Sequence, residues 1–188
     1  MKQRSMPPGQ PTEQPSAAEA TFNRMVTPRA RVHAIVDAAQ NADAPVQARK
    51  LGLDSASLFA GALGRDLAQV APHLVTTSGG AAFGRWWFGH WRTNLGVLFE
   101  ASASPRELRE HFRTLLIVNG DAGRRFYFRF YDPRVMRSFL PHCKGDEVRR
   151  FFGPVRAFYC EGAGGTELIR FAPDADGVAI TTRPVETS

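Results

Sequence analysis

The chain has 188 residues, 43% of them hydrophobic and 22% charged, a composition typical of one globular domain with tails. No apolar run of about 18 residues is present in the sequence, which argues against a membrane span. The charged N-terminus is not followed by an apolar segment, which argues against a secretory signal. Its two cysteines, Cys143 and Cys160, and five scattered histidines complete no zinc-binding spacing and indicate reduced thiols in a cytoplasmic protein.

Residues 1–28 are rich in Pro, Gln, Ser, Ala and Thr and poor in large apolar side chains. Such a segment cannot offset the entropy of ordering, so we expect a disordered N-terminal tail. Phe22, Met25 and Val26 are the side chains that could pin its end against the domain.

Short strands and short helices alternate in the next part of the chain. In order, we predict a strand at Arg31–Asp37, a helix after Asp43, a strand at Ser57–Gly61, a helix near Arg65–Val70 and an extended piece after it. Alternation of this kind favours helices packed on a sheet.

The aromatic stretch "AAFGRWWFGHW" predicts a helix at Ala81–Trp91. Phe83, Trp87 and Trp91 recur at i, i+4 and i+8 and form an apolar stripe on it. Two interpretations stand: the stripe is core, because Trp buries much apolar area, or part of it anchors a partner.

An apolar strand at Asn94–Glu100 precedes the best-marked helix, Ser104–Leu115. Ser104 stands three residues before Glu107, with Pro105 at the first helical position, which is a full capping box.

The segment "LLIVNGDAGRRFYFRFYD" predicts a hairpin around a Gly- and Asp-rich turn. Alternation at period two in "RFYFRFYDPRV" predicts a strand with one face in the core and one turned away from it. The core face would carry Phe126, Phe128 and Phe130, and the other face Tyr127, Arg129 and Tyr131.

Asp132 and Pro133 predict a helix N-cap and first turn directly after that strand. A second short helix, "GDEVRRFFG", and a strand at Pro154–Cys160 follow, and Thr166–Phe171 and Gly177–Thr182 carry weaker strand patterns. We therefore predict an α/β fold in which helices pack against a mixed sheet with a central hairpin. Its parts are a tail at 1–28, a compact domain at 29–161, and a short C-terminal extension at 162–188, made of a weak hairpin and a tail.

Catalytic patterns are weak along the whole chain. No phosphate-binding loop or nucleophile elbow is present, and His33 and Asp37 lie about 13 Å apart along one strand at about 3.3 Å per residue. That separation is too long for a base and its orienter, so Asp37 is expected to cap the next turn. We expect no enzyme activity, no metal and no cofactor.

Basic residues concentrate in the middle of the chain. Residues 101–160 hold 12 Lys and Arg against 6 Asp and Glu, while the remainder is balanced. One explanation is a nucleic-acid surface built on the basic aromatic region 106–156; the alternatives are genomic preference for Arg codons and an arginine-rich protein interface.

Several motifs occur in an order that resembles one bacterial family, the effector adaptor or chaperone domain of type VI secretion systems. The segments are "HAIVDAA", "APHLV", "FGHWRTNLGVLFEASASPRELREHFRTLLIV", "RRFYFRFYDPRVMRSFLP" and "FFGPVRAFYCE". The hallmark is an R-F-Y-D-P-R-V box, later followed by a "GPV" turn; this chain matches it at Arg129, Tyr131, Asp132, Pro133, Arg134, Gly153, Pro154 and Val155. The resemblance covers roughly residues 31–161.

The resemblance implies a cytoplasmic adaptor without catalytic activity, which binds a toxic effector protein and loads it onto the VgrG spike. Neither nucleic acid nor a membrane is an expected partner. Longer members carry a further helical region associated with cargo contact. Here either the chain is a minimal form of the family, or the residues after 161 provide a smaller contact with the cargo.

Two groups of residues are candidate sites. Arg129, Tyr131, Asp132 and Arg134 belong to the box, where we expect Asp132 to cap the helix and Arg129 to bind a nearby carboxylate or carbonyl. Weaker candidates for partner contact are Trp87, Trp91, Arg106, Arg109, Arg113, Arg149 and Arg150.

Overall fold

The computed structural model describes residues 14–77, 81–120 and 123–186. Within these ranges the elements are α1 (Ala17–Met25), β1 (Val32–Asp37), α2 (Ala44–Lys50), β2 (Asp54–Ser57), α3 (Gly61–Asp66), β3 (Pro72–Thr76), α4 (Ala81–Gly89), β4 (Gly96–Ala101), α5 (Pro105–Leu115), β5 (Ile117–Asn119), β6 (Arg125–Tyr127), α6 (Pro133–Phe139), α7 (Asp146–Phe152), β7 (Val155–Glu161), β8 (Glu167–Asp174) and β9 (Gly177–Pro184). None of the described helices combines the length and apolar content needed to cross a bilayer.

Seven strands form one sheet in the order β2-β3-β1-β4-β7-β8-β9, and every neighbouring pair is antiparallel. In the central strand β1, Ile35 lies opposite Leu74 of β3 and Val97 of β4. Strands β5 and β6 form a separate two-stranded sheet. The predicted α/β fold class, with helices packed against a sheet, is confirmed. The predicted mixed sheet with a central hairpin is wrong in its details, because the main sheet is antiparallel in every described pair and the hairpin forms a sheet of its own.

Helices cover both faces of the sheet, so the protein has two apolar cores. On one side, here called the α5 face, α5, α6 and α7 bury Phe112, Met136 and Phe151 against the strands. On the other, here called the α1 face, α1, α2 and α4 bury residues such as Phe22 and Trp87. Strands buried on both sides carry near-continuous apolar runs rather than a clean alternation.

Successive residues of β1 point to opposite faces of the sheet, and this alternation determines the face on which its polar residues His33 and Asp37 lie. Ala34 and Val36 belong to the core of the α1 face, whereas Ile35 belongs to the core of the α5 face. His33 and Asp37, each two residues from Ile35, are therefore directed to the α5 face, where α5 and α6 also lie.

Helix α5 begins and ends close to its prediction. The hydroxyl of Ser104 accepts from the backbone N–H of Glu107 at 3.3 Å, and the Glu107 carboxylate accepts from the backbone N–H of Ser104 at 2.8 Å. The capping box is complete, which confirms the strongest local signal in the sequence.

The expectation of disorder for residues 1–28 is wrong for α1. Ser16 caps this helix, and the Phe22 ring packs 5.4 Å from Phe88 and 5.1 Å from Tyr159, centroid to centroid. Its stability comes from this tertiary packing, which the polar composition of the segment does not reveal. Residues 1–13 lie outside the described part of the chain.

The C-terminal hairpin was expected as a weak extension beside the domain; instead, β8 and β9 continue the main sheet beyond β7. Leu168 and Phe171 are buried, one in each core. The second predicted strand, Ser57–Gly61, is also corrected: β2 ends at Ser57, and the carbonyl groups of Leu58 and Phe59 accept from an arginine side chain.

Candidate functional site

The Asp-Pro joint, Asp132 and Pro133, starts helix α6. The Asp132 carboxylate accepts from the backbone N–H of Arg134 at 2.9 Å, as the sequence predicts for an N-cap. The Arg134 guanidinium also donates to both carboxylate oxygens, at 2.9 and 2.7 Å. Although burial acts to raise it, these bonds lower the pKa of Asp132 below its ordinary value, so this side chain is an ionised structural group.

Arg129 binds the carboxylate of Asp37, the last residue of β1. The Asp37 side chain is fully buried, and its second oxygen accepts from the backbone N–H of Ala39 at 3.0 Å. Arg129 also lies 3.8 Å from the Asp132 carboxylate. A buried carboxylate requires such a counter-charge, so Arg129 ties the box to the central strand.

The predicted strand Arg125–Tyr131 ends after only three residues. β6 stops at Tyr127, the backbone N–H of Phe128 donates to the carbonyl of Leu116 at 2.8 Å, and a turn closes from Asp132 to Arg129. Phe130 and Tyr131 are the two central residues of that turn and are both buried, because alternation no longer governs which side chain is inside once the chain leaves the strand. The expected two-faced strand is therefore wrong after Tyr127.

Phe126 was expected in the core but is 47% exposed. It lies opposite Val118 in the two-stranded sheet, and Val118 is exposed too. The guanidinium of Arg124 lies 5.7 Å from the Phe126 ring centroid. This hairpin, β5 with β6, presents one apolar pair outward because neither strand belongs to the main sheet.

Two tyrosine hydroxyls meet beside the joint. Tyr127 and Tyr131 are 3.0 Å apart, oxygen to oxygen, and the Tyr127 ring packs edge-on against Phe59. Burial raises the pKa of Tyr131 to about 12 and raises that of Tyr127 as well. Both hydroxyls are therefore neutral hydrogen-bonding groups at physiological pH.

The arginines of α5 divide into two kinds. Arg109 donates to the carbonyl of Ser57 at 3.1 Å, and Arg113 donates to the carbonyls of Leu58 and Phe59 at 3.0 and 3.2 Å. These two, expected at a free surface, bind the loop after β2. Arg106 is exposed and pairs with Glu110 on the same helix at 2.9 Å.

The arginines of α7 are both exposed. Arg149 pairs with Asp146 one turn earlier on the helix, and the pairing is local to α7. Surface pairs of this kind contribute little stability, so charge reversal here is expected to leave the fold intact.

The two candidate tryptophans contribute differently to the core. Trp87 is buried in α4, with its ring 5.9 Å from Phe83, centroid to centroid. Helix α4 ends at Gly89, so Trp91 lies beyond the helix predicted to contain it. Its indole N–H donates to the carbonyl of Gly165 at 2.7 Å, which links the end of α4 to the turn before β8.

The described residues offer few reactive groups. Both cysteines are buried, and burial raises the pKa of Cys143 to about 11 and that of Cys160 to about 12, so both remain thiols. His33 accepts from the backbone N–H of Thr77 at 3.2 Å and makes no pair with Asp37. No group of three or more His, Cys, Asp or Glu in the described ranges could hold a metal ion.

Sequence reasoning placed Asp37 at a turn but not at the box, although the Asp37–Arg129 ion pair is central to it. It also missed Glu100, a buried carboxylate that accepts from Tyr159 and from the backbone N–H of Thr27. The available signal was the same in both: an acidic residue at or near the end of an apolar strand.

No curated protein matches the chain, and neither does any solved structure. A family model described as a domain of unknown function matches residues 32–150, which include β1, the capping-box helix and the whole R-F-Y-D-P-R-V box. The chain therefore belongs to the DUF4123 family.

Proposed function

We propose that the protein is a non-enzymatic cytoplasmic adaptor, or chaperone, that binds a type VI secretion effector and helps to load it onto the VgrG spike. The order of motifs between residues 31 and 161, which resembles that adaptor family, supports this proposal.

The observation that carries the proposal is the internal pairing of the box. Arg129 pairs with Asp37 of β1, and Arg134 pairs with Asp132 of the box itself, so the charged groups of the hallmark motif are engaged within the protein. An active site leaves a nucleophile, a base or an oxyanion donor available to a substrate. Here the motif holds β1, the hairpin and α6 together, as a rigid binding body requires.

Partner contacts would come from the surface around this frame. Arg149 and Arg150 are exposed on α7, and the β5–β6 hairpin turns Phe126 and Val118 outward. Arginine and aromatic side chains contribute most of the energy at many protein interfaces. An adaptor with two partners needs two such areas on one body.

Nucleic-acid binding through region 106–156 is the alternative, and the burial of most of its aromatic residues counts against it. Single-stranded nucleic acids stack on exposed rings arrayed along a groove. Phe130 and Tyr131 are buried, and Phe128 is partly buried, so the strand that suggested such a platform is not a sheet surface. A salt-sensitive shift of labelled single-stranded DNA or RNA would support this alternative.

The test is co-purification of the tagged protein from its native host, followed by mass spectrometry. We expect a toxin-like effector and a VgrG protein among the captured partners, and genes for both beside the gene of this chain. Recovery of neither protein from cells with an assembled secretion system would contradict the proposal.

A further inference from the structure

A groove on the α5 face is left open where α5 passes beside the edge of the sheet. One cleft of about 640 Å³ lies between the segment before β1, the end of β3 and the start of α5. A second, of about 360 Å³, lies between α5 and the β2–β3 pair. Asp54, Thr76 and Pro105 line both clefts, so the two form one continuous depression, the α5 groove.

The register of β2 and β3 explains the floor of the groove. Asp54 pairs with Thr76, and Ala56 pairs with Leu74, so these four side chains share one face of the sheet. Three of them are short, and α5 covers the sheet nearer its centre, where Leu108 and Phe112 are buried. β2 stands at the end of the strand order, with β3 as its neighbour in the described sheet.

Five arginines line the groove, against two carboxylates. Glu110 already pairs with Arg106, and Asp54 is the other acid. The arginines are Arg29, Arg31, Arg106, Arg109 and Arg113. Apart from Arg106, none of these five forms an ion pair within the described residues. The groove therefore carries an uncompensated positive charge.

A buried polar atom lies at the same place. His33 lines the larger cleft, and its Nε2 has no hydrogen-bond partner among the described residues. Buried polar atoms are normally satisfied, so this nitrogen is an unused hydrogen-bonding group beside the cleft.

We infer that the α5 groove binds an extended acidic segment of a protein partner, an inference that rests on the adaptor function proposed above. From Pro105 to Arg113 the helix wall is about 12 Å long at about 1.5 Å per residue. That length accommodates about four residues of extended chain at about 3.3 Å each. Carboxylates at alternate positions would face the arginines, while the edge of β2 offers main-chain groups to the segment.

An acidic peptide fits this groove better than a nucleic acid does. None of the described residues that line the two clefts is Phe, Tyr or Trp, so bases would find no ring on which to stack. Asp54 and Glu110 would repel a continuous phosphate backbone. A peptide with spaced carboxylates can place a neutral residue beside each acid of the groove.

The experiment measures fluorescence anisotropy of a labelled decapeptide of alternating Glu and Val, with a Lys and Val decapeptide for comparison. The groove variant is Arg31→Glu with Arg106→Glu, one position from each cleft. The matched control is Arg156→Glu with Arg183→Glu, an equal charge change on exposed residues of β7 and β9, away from the β2 edge. Circular dichroism melts confirm that both variants fold.

We expect the acidic peptide to bind the wild type and the control within about twofold of each other, and the groove variant roughly tenfold more weakly. The Lys peptide is expected not to bind. The inference is overturned if the groove variant and the control lose the same affinity for the acidic peptide, or if the acidic peptide does not bind the wild type. Tight binding of labelled oligothymidine that the groove variant abolishes overturns it too, because the groove would then be a nucleic-acid surface.

Partner capture separates this inference from the adaptor proposal. If the groove variant captures the effector and VgrG as well as the wild type does, the adaptor proposal stands and the groove inference fails. If the wild type captures neither from the host, yet the acidic peptide binds and is lost only in the groove variant, the groove inference stands without the adaptor proposal.

Discussion

Arg129 binds the buried carboxylate of Asp37 across 92 residues of chain, and so joins the R-F-Y-D-P-R-V box to the central strand of the sheet. Asp37 is fully buried, whereas the Arg129 side chain is 36% exposed. Loss of the arginine leaves a charge in the core, while loss of the aspartate leaves a cation that can turn to solvent. The two single substitutions are therefore not equivalent.

Arg129→Met is expected to lower the free energy of unfolding by about 2–3 kcal/mol, which is less than the about 3–5 kcal/mol typical of a broken buried pair because the arginine is partly exposed. Urea denaturation followed by circular dichroism measures this loss. Arg134→Met is the matched control and is expected to lose less than about 1 kcal/mol, because Arg134 is more than half exposed and Asp132 keeps its backbone bond. Equal stability of Arg129→Met and the wild type would show that Asp37 has another counter-charge.

Asp132→Ala removes both the cap of α6 and the partner of Arg134. The expected loss is about 1–2 kcal/mol, near the upper end for an N-cap, measured as a shift of the urea midpoint. Asp132→Asn preserves capping ability while removing the charge, and is expected to be intermediate. An unchanged melting temperature together with unchanged partner capture in Asp132→Ala would contradict the supporting role of the box.

The stability contributed by the Asp132 charge depends on pH in a defined direction. Its pKa in the folded protein lies below the ordinary value of 3.8, so the contribution is present at neutral pH and is lost as the pH falls through the folded pKa. The difference in free energy of unfolding between wild type and Asp132→Asn should therefore stay constant near about pH 6 and narrow as the pH falls below about 4. A difference that widens on acidification would mean that the pKa is raised.

Gly153, in the "GPV" turn, is expected to resist substitution for two reasons. Its φ is +49°, a region that side chains avoid, and a Cβ would lie 2.6 Å from Nδ1 of His111. Gly153→Ala should lower the free energy of unfolding by about 1–3 kcal/mol and displace the His111 ring. Gly164→Ala is the control, because its φ is +69° but nothing lies within 4 Å of the added carbon. If both variants lose the same stability, the contact with His111 contributes nothing.

Both thiols are expected to be inert in the folded protein. Cys143 and Cys160 are buried and their pKa values are raised, so little thiolate is present near pH 8. Reaction with a chromogenic disulfide reagent should be slow in buffer and rapid for both cysteines in denaturant. Rapid labelling of either residue in native buffer would show that its part of the core opens readily.

Local signals predicted local structure well. The capping box of α5 and the Asp-Pro joint of α6 each depend on residues within about one turn of one another, so sequence spacing alone is enough to define them. The alternation in "RFYFRFYD" failed because a pattern of period two indicates faces only while the chain stays extended. The turn after Tyr127 breaks that condition.

Long-range relationships could not be predicted in the same way. Nothing near Asp37 in the sequence indicates that Arg129 is its partner. Phe22 and Met25 suggested that the end of the N-terminal segment could contact the domain, but nothing in the sequence indicates that Phe22 packs on Tyr159. The arginines of α5 are similar: charge suggested a free surface, whereas the position of the loop after β2 gives Arg109 and Arg113 carbonyl groups to bind.

The most direct test of the adaptor proposal is reconstitution from purified proteins. The effector and VgrG identified by co-purification from the native host would be mixed with and without this chain and separated by size exclusion. The adaptor proposal predicts that effector and spike elute together, or bind several-fold more tightly, only when the chain is present, and that Asp132→Ala weakens this effect. Effector and spike that assemble equally well without the chain, or a chain that binds neither, would contradict it.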